Sequence, residues 1–204
     1  KPAKISSKII SVGNISMGGT GKTPFIIYLA EYLLSKGYNT GIISRGYGRK
    51  SHNLEIIFDG NNFIDDIDKS GDELNMITEN LKNFGNKVYI VASANRVEGA
   101  NLILNNFKAD YILLDDAFQH RKIYRDLDIV MVDAKEYLEK SLKYSMMIPS
   151  GILREPRSSL KRASIIIQNN KDLNIGKISD LTKFNDNIFV SNYSSNGVFD
   201  SSYH

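Results

Sequence analysis

Gly18-Gly19-Thr20-Gly21-Lys22-Thr23 is the stretch that decides the fold. An apolar run, Ile9-Ile10-Ser11-Val12, precedes it, and a helical pattern from Pro24 to about Lys36 follows it. A strand, a glycine loop ending in Lys-Thr and a helix form the context in which such a loop binds phosphate. The glycines allow a tight turn that aims backbone N–H groups at an anion, and the helix adds its positive N-terminal end. We therefore predict a nucleoside triphosphate site formed by Gly18, Gly19, Thr20, Gly21, Lys22 and Thr23. In it, Lys22 reaches the outer phosphates and Thr23 holds Mg²⁺.

The spacing of this loop departs from the standard one at a single position. Ser16 stands where the standard loop has its first glycine, so the stretch fits the tighter Gly-Gly-x-Gly-Lys-Thr variant. That variant often carries a lysine before the glycine pair, where this chain has Met17. The alternative is a glycine-rich turn that binds nothing, but the Lys-Thr pair would have no role in it.

The bulk properties indicate an ordinary globular protein. The chain has 204 residues, of which 42% are apolar, and this suits one large domain or one domain plus the start of another. A net charge of +3 suits an anionic ligand or membrane surface without requiring either. The chain has no cysteine, which excludes disulfides and thiolate chemistry and indicates a reducing compartment. The sequence shows no signal-peptide pattern and no apolar run long enough to span a bilayer. From its first and last residues we expect a fragment or a trimmed chain.

Alternating strand and helix patterns predict an α/β fold of the P-loop NTPase type. Near-continuous apolar runs typical of buried parallel strands lie at about 8–13, 40–44, 87–92, 110–115, 127–132 and 163–168. Helical patterns lie at about 22–36, 72–84, 95–107 and 135–143. Residues 54–64 predict a small β-hairpin insertion with a Gly-Asn turn. We expect a mostly parallel sheet flanked by helices in residues 1–168. Residues 169–204, rich in Asn, Ser and Asp, are expected to be a linker and the start of a truncated C-terminal portion.

Two aspartates follow the strand predicted at 110–115, at the edge of the sheet where such folds bind ligands. Asp115 ends the apolar run, which is the position of a Walker B carboxylate, and Asp116 comes next. Mg²⁺ takes few protein ligands and relies on phosphate oxygens and water, so one or two carboxylates opposite Thr23 suffice. The alternative is that the pair only begins a loop or caps a turn.

A second pair of carboxylates opens a predicted helix. Asp72-Glu73 follows Ser70-Gly71, where negative charge favours a helix N-terminus. From the local sequence alone, a purely structural role at the helix N-terminus is the commoner interpretation. The functional alternative is a general base for a substrate hydroxyl.

Three further features have balanced readings. His120 shares a strand-end loop with the two aspartates and is either structural or functional. Arg154, after a loop that contains proline and glycine, could clamp phosphate or make a surface ion pair. Arg45, Arg49 and Lys50 could meet a phosphorylated substrate or form a solvated loop.

Taken in order, five motifs resemble those of one family. They are Ser11-Val12-Gly13-Asn14 leading into the glycine loop, Ser44-Arg45-Gly46-Tyr47, Gly71-Asp72-Glu73, Asp115-Asp116-x-Phe118-Gln119-His120-Arg121, and Leu153-Arg154-Glu155-Pro156. In this order and spacing the chain, over about residues 8–165, resembles the tetraacyldisaccharide 4′-kinases, the lipid A 4′-kinases. The aspartate loop combined with Ser-Arg-Gly-Tyr carries this resemblance, and the phosphate loop alone would not.

The resemblance implies a membrane-associated kinase at the cytoplasmic face of the bacterial inner membrane. Such an enzyme moves the γ-phosphate of ATP to the 4′-hydroxyl of a tetraacylated glucosamine disaccharide 1-phosphate. Its implied partners are this lipid A precursor and the anionic membrane surface, with no nucleic acid. Its implied catalytic residues are Asp72, Asp116 and Lys22, with Mg²⁺ on Thr23, Asp115 and Asp116. The other implied site residues are Arg45, Glu73, Gln119, His120, Arg154 and Glu155.

Some family features are replaced or missing. Ala117 replaces a glycine, Leu74 replaces a proline, and neither the N-terminal membrane-binding helix nor the C-terminal Asp-His motif is present in the sequence. Two alternatives to an active kinase remain, the first because it shares the Gly-Gly-x-Gly-Lys-Thr loop and the second because of the missing C-terminal part. One is a switch ATPase of the positioning or maturation type, which Met17 disfavours, and the other is a truncated remnant that only binds nucleotide.

Overall fold

An eight-stranded sheet forms the centre of the computed structural model, which describes residues 1–51, 53–171 and 173–192. Numbered along the chain, its strands are β1 (Lys8–Gly13), β2 (Thr40–Ser44), β3 (Glu55–Phe58), β4 (Val88–Ala92), β5 (Tyr111–Asp115), β6 (Leu127–Asp133), β7 (Ile165–Asn169) and β8 (Ile188–Ser191). Their order across the sheet is β3-β4-β2-β5-β1-β6-β7-β8. Every neighbouring pair is parallel except β3 with β4. The predicted fold class, a mostly parallel sheet flanked by helices, is confirmed.

A helix lies at each of the four predicted positions, and a short fifth helix that was not predicted precedes residue 72. They are α1 (Lys22–Ser35), α2 (Ile67–Ser70), α3 (Asp72–Leu81), α4 (Arg96–Asn106) and α5 (Ala134–Leu138). The helix predicted at 135–143 is wrong in length, because α5 ends at Leu138 and a short 3₁₀ turn follows at Leu142–Tyr144. Leu138 and Leu142 are 49% and 72% exposed, so no burial stabilises a continued helix there. In the described part of the chain, no helix has the length and apolar character needed to cross a membrane.

The apolar strands are covered on both faces, as their composition predicts. On one face, α1 and α3 pack through Ile26 and Ile77 against a cluster that includes Val12 of β1. On the other face, α4 packs through Ile103 against Ile9 and other residues of the same strands. Successive residues of β1 therefore point into different layers.

The predicted hairpin contains the expected turn but is joined to the main sheet. Within the turn, Oδ1 of Asp59 accepts hydrogen bonds from the backbone N–H groups of Asn61 (2.9 Å) and Asn62 (2.7 Å). The chain returns through a bridge between Phe58 and Phe63. The first arm, β3, pairs antiparallel with β4 and forms one edge of the sheet.

The segment after β7 extends the same sheet at its other edge. Strand β8 pairs parallel with β7, and Leu181 is buried in a cluster with Val130 and Ile166. The partly buried Phe184 packs against this cluster. The division at residue 168 stays a prediction, and residues 193–204 of the expected C-terminal portion lie outside the described residues.

Candidate functional site

The predicted phosphate loop connects β1 to the N-terminus of α1. Gly18 and Gly21 have φ of 127° and 87°, conformations that side chains rarely adopt, and Gly21 precedes the first residue of the helix. The loop lies at the carboxyl edge of the parallel strands, as predicted. This arrangement turns the first free N–H groups of α1 toward the space above the loop.

Thr20, in the middle of the loop, accepts hydrogen bonds from residues at the ends of two strands. It is 1% exposed, and its hydroxyl accepts a hydrogen bond of 3.0 Å from the side-chain amide of Asn14. Its backbone carbonyl accepts a second hydrogen bond of 3.0 Å from the amide of Asn169. The loop is thus held by residues that follow β1 and end β7.

Asp115 ends β5 beneath the loop and is 1% exposed. The hydroxyl of Ser44, at the end of the neighbouring β2, donates to its Oδ2 at 2.8 Å. Its Oδ1 is buried and has no hydrogen-bond partner within the part of the chain that the structure describes. Burial raises the pKa of Asp115, since the surroundings disfavour its charge.

Asp116 has a different environment and an unusual backbone. Its φ is 45°, and Arg154 forms a bidentate pair with its carboxylate, at 2.9 Å and 2.7 Å. The ammonium of Lys22 lies 3.7 Å from its Oδ1. Burial alone would raise the pKa of Asp116, but the hydrogen bonds from Arg154 and the charge of Lys22 outweigh it and hold the pKa below its usual value.

The donor set fits a magnesium ion better at Asp115 than at Asp116. Asp115 has an unpaired buried oxygen, whereas both oxygens of Asp116 already accept from Arg154. No group of three or more His, Asp or Glu side chains that could hold a metal occurs in residues 1–51, 53–171 and 173–192. A metal here would therefore rely on Asp115, Thr23 and oxygens from a phosphate ligand, which is how Mg²⁺ is commonly bound.

The two carboxylates at the start of α3 face different environments. Asp72 is the first residue of the helix and is exposed, while Glu73 is half-buried and lines the cleft above the loop. Burial raises the pKa of Glu73, and the nearby negative charges of Asp115 and Asp116 add to the effect, with Lys22 opposing it.

Arg96 is a site residue that the sequence reading missed. It is 2% exposed and lies at the start of α4, where its guanidinium donates to the backbone carbonyls of Ser93 (2.5 Å) and Asp115 (2.8 Å). Burial lowers the pKa of Arg96 to about 10. One signal was available, because Arg96 follows a predicted strand at the ligand-binding edge of the sheet.

These elements surround an open cleft of about 670 Å³. Its lining comprises Ser16, Met17, Gly18, Lys22, Ser44, Arg45, Tyr47, Glu73, Arg96, Asp116, Gln119, His120, Ile148 and Arg154. The amide of Gln119 donates to the carbonyl of Asn14 at 2.9 Å. Burial lowers the pKa of His120, and the positive charge of Arg96 lowers it further. His120 is therefore biased toward the neutral form beside the phosphate loop.

Several predicted site residues lie outside this lining. Arg49 is buried and pairs with Glu55 at 2.9 Å, so neither the substrate-binding nor the solvated reading of it is right. Lys50 pairs with Asp68 at 2.5 Å, so the expected basic cluster contributes only Arg45 to the cleft. Glu155 lies beside the cleft, where its carboxylate accepts from Arg121 and Arg162.

Ala117 and Leu74 are accommodated without visible strain. Among the described non-glycine residues, positive φ occurs at Asp116 and Lys171, so the methyl of Ala117 sits on an ordinary backbone. Ala117 and Leu74 are both fully buried among apolar neighbours.

The parallel sheet, the glycine loop before α1 and the aspartates at the end of β5 define a protein of the P-loop NTPase class. A family model described as tetraacyldisaccharide-1-P 4′-kinase matches residues 1–199. The chain belongs to the tetraacyldisaccharide 4′-kinase family.

Individual relatives agree with this assignment. The chain is 43% identical over 175 residues to a tetraacyldisaccharide 4′-kinase from Chlorobium phaeovibrioides, an alignment that covers 84% of this chain and 45% of that protein. It is 41% identical to a protein of the same name from Halothermothrix orenii, with 82% and 42% covered. A crystal structure of LpxK from Aquifex aeolicus in complex with ATP superposes with a TM-score of 0.70 at 38% identity, covering 82% of this chain and 50% of that one. The chain thus spans about half the length, or slightly less, of the proteins it matches.

Proposed function

We propose that the protein to which this chain belongs is an ATP-dependent kinase. It transfers the γ-phosphate to the 4′-hydroxyl of a tetraacyldisaccharide 1-phosphate in lipid A biosynthesis. The observation that carries this proposal is the cleft. The phosphate loop, Asp116 and Glu73 contribute to its lining, and Asp115 is buried next to Asp116. The names of the 38–43% identical relatives, and the ATP complex of one of them, support the same activity.

ATP is the proposed cofactor, with its phosphates on the N–H groups of Gly18–Thr23. Lys22 would bind the outer phosphates, and Thr23 and Asp115 would hold Mg²⁺. Asp116, both of whose oxygens accept from Arg154, would lie beside the ion without ligating it directly. The ion would neutralise charge that develops on the transferring phosphoryl group. Arg96 contributes a buried cation to the cleft wall, which favours a polyanion in this space, and Arg154 offsets the negative charge of Asp116.

The acceptor hydroxyl needs a base, and we propose that the Asp72-Glu73 pair supplies it, with Asp72 as the proton acceptor. Asp72 is exposed at the start of α3, outside the cleft lining, where a large substrate can approach it from solvent, whereas Glu73 is half-buried in the cleft wall. Arg45, Gln119, His120 and Arg154 are proposed to position the substrate or the base from the cleft lining. We assign Glu155 to the support of this shell, because it orients Arg162 and Arg121.

The proposed acceptor is a lipid, and we place the protein on the cytoplasmic face of the anionic inner membrane. Two large apolar side chains of the cleft lining are exposed, Met17 (56%) and Ile148 (47%). Leu142, six residues before Ile148 in the chain, is 72% exposed. Lys140 and Lys143 are exposed on the same segment as Leu142. Apolar groups next to lysines suit a surface of acidic lipids.

A switch ATPase would use the same loop, but it would have no need for carboxylates at an acceptor side of the cleft. The family assignment also does not favour it. A remnant that binds nucleotide without transfer is distinguished by experiment.

The test is transfer of radiolabelled γ-phosphate from ATP to a lipid A disaccharide 1-phosphate in mixed micelles, using a protein extended to the length of its relatives. We expect labelled lipid from the parent protein and a loss of 10²- to 10⁴-fold in Asp72→Asn, the range for a general base. Glu73→Gln measures the neighbour, and Glu79→Gln, exposed on the same helix and paired with Lys82, is the matched control. ATP hydrolysis without labelled lipid would contradict the kinase function. If only Glu73→Gln reduces phosphate transfer, the general base is Glu73 and not Asp72.

A further inference from the structure

Asn169 makes a contact that links distant parts of the chain. It is the last residue of β7, is 1% exposed, and donates from its side-chain amide to the carbonyl of Thr20 at 3.0 Å. Its side-chain oxygen accepts from the backbone N–H of Lys171 at 3.1 Å, which fixes the orientation of the amide. Thr20 is the one residue with a side chain between Gly18 and Gly21, and therefore the natural place to anchor the loop.

The side chain of Thr20 is bound by Asn14, which also contacts the ion pair of Arg154 and Asp116 through Arg154. Asn14 donates to the Thr20 hydroxyl and accepts at its own side-chain oxygen from Arg154, which also holds Asp116. The loop is therefore anchored between β1 and β7, the strands on either side of β6. Asn14 positions it relative to Asp116, and Asn169 fixes its backbone.

A phosphate loop works only if its N–H groups face the ligand and its carbonyls face away. A carbonyl turned toward the phosphates would repel them, and the glycines on both sides of Thr20 allow such rotations at little cost. A donor that binds the Thr20 carbonyl from behind the loop holds it turned away before the ligand arrives. A loop that is already ordered before the ligand binds loses little conformational entropy on binding, so its affinity for the ligand is higher.

We propose that Asn169 is a positioning residue for nucleotide binding, which keeps the carbonyl of Thr20 turned away from the ligand side of the phosphate loop. This inference rests on the nucleotide binding proposed above. Asn169 contacts the loop from behind and is not itself a catalytic residue.

The experiment exchanges the donor for an acceptor of the same shape. Asn169→Asp keeps the oxygen that accepts from Lys171 but places a second acceptor against the Thr20 carbonyl. Asn170→Asp is the matched control: Asn170 is equally buried and donates to the carbonyl of Ile175 at 2.7 Å, away from the loop. We expect the Kd for ATP, measured by titration calorimetry, to rise about tenfold in Asn169→Asp, equivalent to ~1.4 kcal/mol. In the transfer assay the KM for ATP rises and the KM for the lipid acceptor does not.

The possible outcomes separate this inference from the function on which it rests. If the parent protein does not bind ATP, the proposed function fails. If the parent binds ATP and Asn169→Asp binds it equally well, the positioning role is wrong. Equal weakening in Asn170→Asp would also overturn it, since it would show a general effect of stability. Asn169→Ala, which removes the donor without adding a charge, decides the matter if Asn169→Asp does not fold.

Discussion

Gly13→Ala tests how closely the loop that carries the aspartates packs against β1. Gly13 ends β1, and a methyl built on it would lie 2.7 Å from Cβ and 2.8 Å from the backbone N of Phe118. Ordinary carbon contacts are about 3.5–4.0 Å, so the added carbon requires a shift of roughly 1 Å. Phe118 is fully buried, and the guanidinium of Arg162 lies 4.3 Å from the centre of its ring, so the residue has little room to yield.

The cost of this overpacking can be placed within a range. Extra methyl groups in a well-packed core cost about 1–3 kcal/mol, and contact with backbone atoms favours the upper end, about 3 kcal/mol. For a chain of this size that lowers Tm by roughly 6–12 °C. Urea unfolding and thermal melting give the free energy of unfolding and Tm, and ATP affinity reports whether Asp116, two residues before Phe118, has moved.

The matched control for this substitution is Gly176→Ala, where an added methyl meets nothing within 4 Å. We expect the control to change the free energy of unfolding by less than about 1 kcal/mol, with stabilisation possible because alanine restricts the unfolded chain. If Gly13→Ala is as stable as the parent, or the two variants lose stability equally, the close approach at Phe118 is not real.

Two further predictions concern residues away from the cleft. Arg49→Met removes a buried guanidinium and leaves Glu55 without its partner. Because Glu55 is 26% exposed, the free energy of unfolding should fall by about 3 kcal/mol, the lower end of the range for a broken buried pair. Calorimetry should show ATP affinity unchanged, and weaker binding without lost stability would restore Arg49 to the site. Asp126→Asn tests a carboxylate whose pKa is lowered by the backbone N–H of Ile9 and by Lys8. Because the folded pKa lies below the unfolded one, this stability is present above about pH 4 and is lost as the pH falls. Urea unfolding should therefore show a difference of less than about 1 kcal/mol at pH 7, because solvent screens this largely exposed carboxylate, and the difference should shrink as the pH falls below about 4. A difference that does not change with pH would contradict the assignment.

The parts of the fold that the sequence predicted are those determined by local patterns. The phosphate loop requires glycines at fixed positions. The strands predicted at 8–13 and 110–115 are apolar runs because their side chains are buried on both faces of the sheet. Strand β8 was missed because Phe189 and Val190 are 58% and 40% exposed, and the surrounding composition is polar. Its pairing is decided by the free edge of β7, which no local pattern near residue 188 reveals.

The candidate site shows the same limit for individual side chains. An arginine at a helix start usually points to solvent, but Arg96 is buried because the carbonyls of Ser93 and Asp115 converge on it. Asn169 lies in a stretch of asparagines that indicates a linker, and its partner Thr20 is 149 residues away. Both roles depend on long-range contacts between strand ends, and these arise only when the sheet is assembled.

The charges of the cleft explain why Asp116 needs an arginine in addition to Lys22. Four cationic and two carboxylate side chains line the cleft, which suits an anionic ligand. The 3.7 Å between Lys22 and Asp116 exceeds the length of an ordinary hydrogen bond. Arg154 instead satisfies both oxygens of Asp116, so the three donors of Lys22 are not committed to that carboxylate. Lys22 can then turn to a phosphate without leaving a bare negative charge behind it, and the pair Arg154–Asp116 stays in place while the nucleotide enters.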